Sequence, residues 1–254
     1  MNDEDIILAH RLAEAAGDAI RPFFRARFDR ETKADRSPVT EADRASEAAM
    51  RRILERERPA DGIIGEEYGV EREDAARLWV LDPIDGTRSF IAGRPIFGTL
   101  IALVEEKRPI LGVIDQPIAR DRWIGARGRP TLLNDKPART RRCPQLSSAH
   151  ISTTSPAAFP GGDLARFEMV GAAAGDILWG GDCHNYGLTA SGHLDAVIES
   201  GLKLYDFAAL VPIVEGAGGR MTDWQGNRLD AASAGHVIAV GDPALIEQIV
   251  ALLN

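Results

Sequence analysis

The chain has 254 residues, a formal net charge of −8 and 44% hydrophobic residues, enough to bury a substantial core as one large domain or two small ones. An acidic balance of this kind argues against general binding to nucleic acid or to a membrane surface, and no apolar run approaches the roughly 18 residues that a membrane helix needs. Cys143 and Cys183 lack CxxC spacing and suggest neither a disulfide framework nor a zinc site; the N-terminus, MNDEDIILAH, is acidic where a secretory signal is basic, so we expect a cytoplasmic protein.

Residues 5–28 place Ile6, Leu8, Leu12, Ala13, Ala16, Ile20 and Phe24 at roughly helical spacing, which predicts a long amphipathic helix kinked at Pro22. A polar loop over 32–38 follows. Thr40 is a good N-cap for a second helix running to Arg56, with Asp43 at its third position as in a capping box. Capping alone is thus one explanation for Asp43. The run Ile63, Ile64 then reads as a strand that stops at Gly65, Glu66 and Glu67. Paired glutamates are usually solvated surface, yet a strand end would let Glu66 approach Asp82 from a neighbouring strand.

The stretch 79–90, WVLDPIDGTRSF, is the one around which we expect the chain to be organised. The apolar run 78–81 predicts a buried strand, with Asp82 and Asp85 at its end on either side of Pro83 and Ile84. Pro83, with no N–H and a fixed φ, is expected to lead the chain out of the sheet, and Gly86 to permit a tight turn. If Thr87 opens a helix, its free N–H groups face the same space as the carboxylates, setting an anion site beside a cation site. Two close carboxylates repel unless a cation or a proton lies between them. Asp, Pro and Gly also make an ordinary turn, so on spacing alone both readings stand.

Downstream, 96–105 and 110–116 predict a strand pair across the polar turn 106–109, with another short strand at 122–125 and a turn within the sheet at 132–137. The polar stretch 139–148 reads as a seam between an N-terminal α+β half (1–138) and a C-terminal α/β half (139–254) of one compact unit, and its Arg139, Arg141 and Arg142 read as a solvated loop. The second half alternates: strand 149–153, helix 163–174, strand 176–179, helix 186–191, strand 194–199, a single helix 205–215, strands 220–222 and 237–241, and a terminal helix from Pro243. Asp206 falls in the first turn of its helix, where the dipole favours an acid, and Gly216, Gly218 and Gly219 read as the end of that helix.

Taken together, GEE at 65–67, DPIDGT at 82–87 and YDFAALVPIVEGAGG at 205–219, with KADRSPVTEAD at 33–43, resemble the inositol monophosphatase family of Mg²⁺-dependent, lithium-sensitive phosphomonoesterases. GTRSFIAGRPIFGTL at 86–100 and GDCHNYGLTASGHLDAVIESGLKLYDF at 181–207 are more similar to its histidinol-phosphate phosphatase branch. Arg88, Ser89 and Phe90 stand where inositol-specific members usually carry an Asn-Phe pair. The resemblance implies a layered αβαβα sandwich, α+β and α/β in class, commonly a homodimer, acting on a small phosphate ester with no nucleic-acid or membrane partner.

By the same resemblance Glu66, Asp82, the Ile84 carbonyl, Asp85 and Asp206 would hold two or three Mg²⁺ ions, and all are the oxygen donors that Mg²⁺ requires. Glu66, Thr87 and Asp43 would serve the attacking water, and the N–H groups of Gly86 and Thr87 the phosphate. Asp182, Glu199, Arg88, His184 and Asn185 would line the substrate pocket. The expected reaction is hydrolysis of histidinol phosphate to histidinol and phosphate, a step of histidine biosynthesis. Inositol phosphate or a related sugar phosphate is the alternative substrate. A non-catalytic metal- or ligand-binding relative is the alternative of another class; it would be expected to lose a metal ligand, and none is missing here.

Overall fold

The computed structural model describes residues 3–26, 30–32 and 38–254. Helix α1 (Asp3–Ile20) buries the stripe Leu8, Leu12, Ala16 and Ile20. It ends before Pro22, which sits in a short 3₁₀ turn, Arg21–Phe23, so the helix predicted over 5–28 stops at Ile20 instead of continuing with a kink; residues 27 and 28 lie outside the described residues. The predicted loop 32–38 is in part a ladder of β1 (Arg30–Thr32) against β2 (Pro38–Thr40), with 33–37 outside the described residues. Helix α2 (Glu41–Glu57) starts at the Thr40 cap, with the capping box to Asp43 formed.

The larger sheet takes β3 (Gly62–Gly65), β4 (Gly69–Glu71), β5 (Arg77–Asp85), β6 (Gly98–Glu105), β7 (Arg108–Gln116), β8 (Asp121–Ala126), β9 (Leu132–Leu133) and β10 (Lys136–Pro137), with the short helix α3 (Thr87–Ile91) between β5 and β6. Its order is β10-β9-β8-β7-β6-β5-β3-β4, antiparallel except where β3 runs parallel to β5. Strand β5 is buried on both faces, as an apolar run without polar alternation requires. Trp79 and Leu81 pack with Leu12, Met50 and Leu54 of α1 and α2, whereas Val80 joins the core on the opposite side.

The second half contributes β11 (His150–Thr153), α4 (Asp163–Ala173), β12 (Asp176–Trp179), α5 (His184–Ala190), β13 (Ala196–Glu199), α6 (Leu204–Phe207), α7 (Leu210–Gly216), β14 (Arg220–Thr222), β15 (Val237–Val240) and α8 (Leu245–Leu253). The smaller sheet has the order β12-β11-β13-β15-β14. Helices α1 and α2 cover the outer face of the large sheet, α5 to α7 lie between the sheets, and α4 and α8 cover the far side of the small one. The result is a layered αβαβα sandwich.

The single helix predicted over 205–215 is divided into α6 and α7. Pro212 has no N–H to offer the Ala208 carbonyl one turn back, and the helix breaks there. The break lies directly on the large sheet: a Cβ at Gly112 of β7 would stand 1.9 Å from the Ala209 carbonyl oxygen, so only glycine lets the two backbones meet. In the seam, Arg141 is not a freely solvated side chain, since its guanidinium grips the fully buried Asp195 carboxylate with Nε at 2.6 Å. Among the described residues, no helix is long and apolar enough to cross a membrane.

Candidate active site

The site is built where β5 ends. The strand does not leave the sheet at Pro83: Asp82 pairs with Leu100 and Asp85 with Gly98, so β5 carries one extra residue as a bulge. Pro83 is tolerated because the bulge needs no N–H from it, and its carbonyl is held by Thr99 Oγ1 at 2.8 Å. One carboxylate oxygen each from Asp82, Asp85 and Asp206 then fall within 4.8 Å of one another. Asp206 comes from the first turn of α6, where its other role is to cap: Oδ2 accepts the Lys203 N–H at 2.6 Å.

Glu66 enters from β3, the parallel neighbour of β5. Its N–H donates to the Leu81 carbonyl at 3.1 Å, which brings it alongside Asp82 as the strand reading anticipated. Burial drives the Asp82 pKa well above the usual carboxylate range, and Glu66, Asp85 and Asp206 push in the same direction. Asp85 is raised well above its ordinary value by burial and then by Asp182 and Asp206. Asp206 is pushed up to about 7, mainly by burial, against the opposing Lys203 amide.

These acids floor a cleft of about 500 Å³. Six carboxylates line it, Glu66, Asp82, Asp85, Asp182, Glu199 and Asp206, against two guanidinium groups, Arg88 and Arg94. Such an excess of buried negative charge is relieved by cations, and a set of carboxylates with the Ile84 carbonyl at its edge is the donor chemistry of Mg²⁺, Mn²⁺ or Ca²⁺. The residues present therefore fit hard divalent metal ions. A larger cavity of about 850 Å³ is bordered by Arg108, Arg127, Arg129, Arg139 and Arg228 against the two acids Glu215 and Asp230, the opposite balance of charge.

Asp43 proves to serve two neighbours. Its Oδ2 accepts the Thr40 N–H at 2.8 Å and the Thr40 hydroxyl, while Oδ1 lies 3.4 Å from Thr87 Oγ1. Thr87 Oγ1 also lies 3.1 Å from the Ile84 carbonyl. Gly86, in the left-handed conformation, is the N-cap of α3 and lines the cleft with Thr87.

The structure divides the expected substrate residues. Asp182, Glu199 and Arg88 line the cleft. Asp182 is not the cap of α5, for its Oδ2 accepts the Ser89 hydroxyl at 2.6 Å. Glu199, 7% exposed, accepts the Tyr186 hydroxyl at 2.8 Å and the Thr154 N–H at 3.0 Å. Burial raises the pKa of both acids. His184 and Asn185 do not line the cleft. The first turn of α5 sends the His184 ring edge-on against Trp123, with centroids 5.3 Å apart, and Asn185 is 5% exposed with Nδ2 donating to the Gly180 carbonyl at 3.0 Å.

Sequence reasoning overlooked Ser89, Arg94 and Tyr186, all of which line the cleft. Arg94 lies a few residues beyond the DGT turn, and a lone basic residue so near a cluster of acids is the signal that could have singled it out. Tyr186 carried only the weak signal of a polar-tipped aromatic in the helix that precedes the strand of Glu199.

The sequence model of the inositol monophosphatase family matches residues 1–254. The chain is 49% identical over 255 residues to the chloroplastic bifunctional phosphatase IMPL2 of Arabidopsis thaliana, covering 97% of this chain and 74% of that protein. It is 39% identical over 238 residues to a histidinol-phosphatase of Mycobacterium tuberculosis, covering 89% and 90%. Among solved structures, one described as an inositol monophosphatase from Zymomonas mobilis superimposes with a TM-score of 0.92 at 57% identity, over 99% of this chain and 98% of that one.

Proposed function

The chain belongs to the inositol monophosphatase family, and from that premise we propose that it is a Mg²⁺-dependent phosphomonoesterase that hydrolyses histidinol phosphate to histidinol and phosphate, within histidine biosynthesis. The observation that carries the substrate is the pair Asp182 and Glu199. Both line the cleft in addition to the acids suited to metal, and both accept from neutral donors, Asp182 from the Ser89 hydroxyl and Glu199 from the Tyr186 hydroxyl and the Thr154 N–H. Histidinol phosphate carries a primary ammonium and an imidazole on its leaving alcohol. A pocket with two carboxylates beyond those needed for metal favours that cation over a neutral polyol.

In this reading Glu66, Asp82, Asp85, Asp206 and the Ile84 carbonyl hold two or three Mg²⁺ ions, which when bound supply Lewis acidity and a water of lowered pKa. The Thr87 hydroxyl would orient the attacking water, with its own proton directed to Asp43 Oδ1, 3.4 Å away. The capping contact to Thr40 keeps the other Asp43 oxygen fixed, so the acid is presented to Thr87 in one orientation. N–H groups of Gly86 and Thr87, at the start of α3, hold the phosphate, and Arg88 at the exposed rim meets the substrate.

We further assign a cytoplasmic homodimer. Leu178 and Trp179 are 44% and 46% exposed on β12, an edge strand, and Met169 of the adjoining α4 is 55% exposed; an apolar strip on an unpaired edge is suited to a second copy.

A second reading, inositol phosphate or a related sugar phosphate, is favoured by one observation. Arg88 and Arg94 both act on Asp182, and Ser89 donates to it, so part of its charge is already answered. Phosphate release measured side by side on histidinol phosphate, inositol monophosphate and sugar phosphates decides between them. The proposal expects the highest kcat/KM on histidinol phosphate; a preference for inositol phosphate overturns it.

A further inference from the structure

Beneath the strand end that presents Glu66 lies a buried ion pair that the reaction does not use. Glu47 and Arg51 follow Asp43 at one-turn intervals along the same face of α2, and they are 0% and 5% exposed. Arg51 Nε donates to Glu47 Oε1 at 2.8 Å. Glu47 also accepts two backbone N–H groups, from Glu67 on Oε2 at 2.7 Å and from Tyr68 on Oε1 at 3.2 Å. Arg51 completes the grip, donating to the Gly69 carbonyl at 2.5 Å and to Glu71 Oε1 at 2.7 Å.

The turn between β3 and β4 is therefore held at every residue around Glu66. Its own N–H is tied to Leu81 on β5, and the next two N–H groups are tied to Glu47. The preceding residue is equally constrained, because a Cβ at Gly65 would stand 1.9 Å from Glu47 Oε1 and 2.7 Å from Arg51 Nη2. Burying two charges carries a desolvation penalty that an apolar pair of similar volume would not incur. What the ion pair supplies in return is direction: an acceptor with two oxygens takes the Glu67 and Tyr68 N–H groups while a planar donor fork takes the Gly69 carbonyl, fixing the turn from both sides.

We infer that the Glu47–Arg51 pair positions Glu66 beside Asp82 and so sets how tightly the cleft holds divalent metal. The inference rests on the reading of Glu66 as a metal ligand given above. Glu47 and Arg51 touch neither substrate nor metal in this account; they act through the 65–69 turn.

Direct titration of the full-length protein with Mn²⁺, followed by electron paramagnetic resonance, tests it, with amide hydrogen exchange over 66–71 as a second readout. Glu47→Gln leaves one acceptor oxygen where two are needed and sets an NH₂ group against a backbone donor. Outer partners of metal ligands typically contribute about 10- to 100-fold in metal affinity, so Mn²⁺ should bind about 10-fold or more weakly. Exchange at Glu67 and Tyr68 should quicken, and kcat at saturating Mg²⁺ should recover to within a few-fold. Arg51→Lys, which keeps the charge but loses the fork, should show a smaller loss of the same kind, and it serves as the test if Glu47→Gln does not fold. Unchanged Mn²⁺ affinity in a folded variant, even with a lower Tm, overturns the inference and leaves the pair a purely structural one. Glu66→Gln separates the two levels: if that variant binds Mn²⁺ as the unmodified protein does, it is the ligand reading of Glu66 that fails.

Discussion

The Ser89 hydroxyl donates to Asp182 Oδ2 at 2.6 Å, joining residues 93 positions apart in the chain. The bond fastens the start of α3 to the loop before α5, so two segments that line the cleft are held together. If Asp182 receives the substrate ammonium, the lost charge-assisted bond is worth about 1.5 to 3 kcal/mol, roughly a 10- to 100-fold change. Asp182→Asn keeps an acceptor for Ser89, and it should raise KM for histidinol phosphate by that factor while leaving KM for p-nitrophenyl phosphate within about twofold. Equal losses on both esters would return Asp182 to a structural role.

Asp85 accepts the Cys183 N–H at 2.6 Å as well as facing Asp82 and Asp206. Asp85→Asn can keep that bond but removes a charge the metal ions need. Turnover should fall by orders of magnitude with the circular dichroism spectrum unchanged. Full activity of this variant in the presence of chelator would sink the metal-dependent reading.

Thr87→Val removes the hydroxyl between Asp43 and the Ile84 carbonyl at nearly constant volume. Loss of general acid–base assistance typically costs about 10²- to 10⁴-fold in rate, and kcat should drop within that range. Mn²⁺ affinity should change little. A variant that instead loses metal and keeps its rate at saturating Mg²⁺ would make Thr87 a ligand.

The carboxylate cluster predicts how the metal-free protein responds to pH. Asp206 has its pKa raised in the folded state to about 7, against about 3.9 in an unfolded chain, so its protonated form is favoured by folding. Its contribution to stability is fully present below about pH 4 and is lost as pH rises through about 7. In EDTA, Asp206→Asn should therefore melt above the unmodified protein at pH 8, and the difference should shrink as the pH is lowered toward 4. Excess Mg²⁺ at pH 8 should reverse the order. Scanning fluorimetry of the two proteins checks both signs; a difference that does not vary with pH removes the cluster as its source.

Trp179→Glu places a charge on the exposed edge strand β12. Light scattering coupled to size exclusion should find the unmodified protein as a dimer and the variant as a monomer. A monomeric unmodified protein would refute the homodimer.

What the sequence made legible was what local physics decides. Strand β5 covers the predicted run 78–81 but continues past it to Asp85, whereas the Thr40 cap with Asp43 and the strands Asp176–Trp179 and Arg220–Thr222 depend on near neighbours and stand where their residues predicted. Expectations failed where a distant partner intervened. Pro83 stays in the sheet because β6 accepts a bulge, and the helix after Asp206 breaks at a point where β7 offers a glycine to receive it. His184 and Asn185, assigned to the pocket by the family resemblance, lie away from the cleft: the distant Trp123 of β8 packs against the His184 ring, and the nearby Gly180 carbonyl takes the Asn185 amide. The Glu47–Arg51 pair left no trace in the sequence, since a charged pair four apart on a helix ordinarily reads as surface.

The meeting of α6 and α7 with Gly112 also bears on the order in which the molecule comes into being. Glu66, Asp82 and Asp85 are made early in synthesis, whereas Asp206 and the helices that lay it on β7 follow nearly half a chain later. Until the second half is made, the chain carries only three of these four acids, and the sheet that presents them lacks the helices that share its core. The complete set of donors arises only when the second half docks. Ions that bind the finished cleft and not the fragment must stabilise the docked form by mass action, so metal supply and completion of the fold are thermodynamically linked.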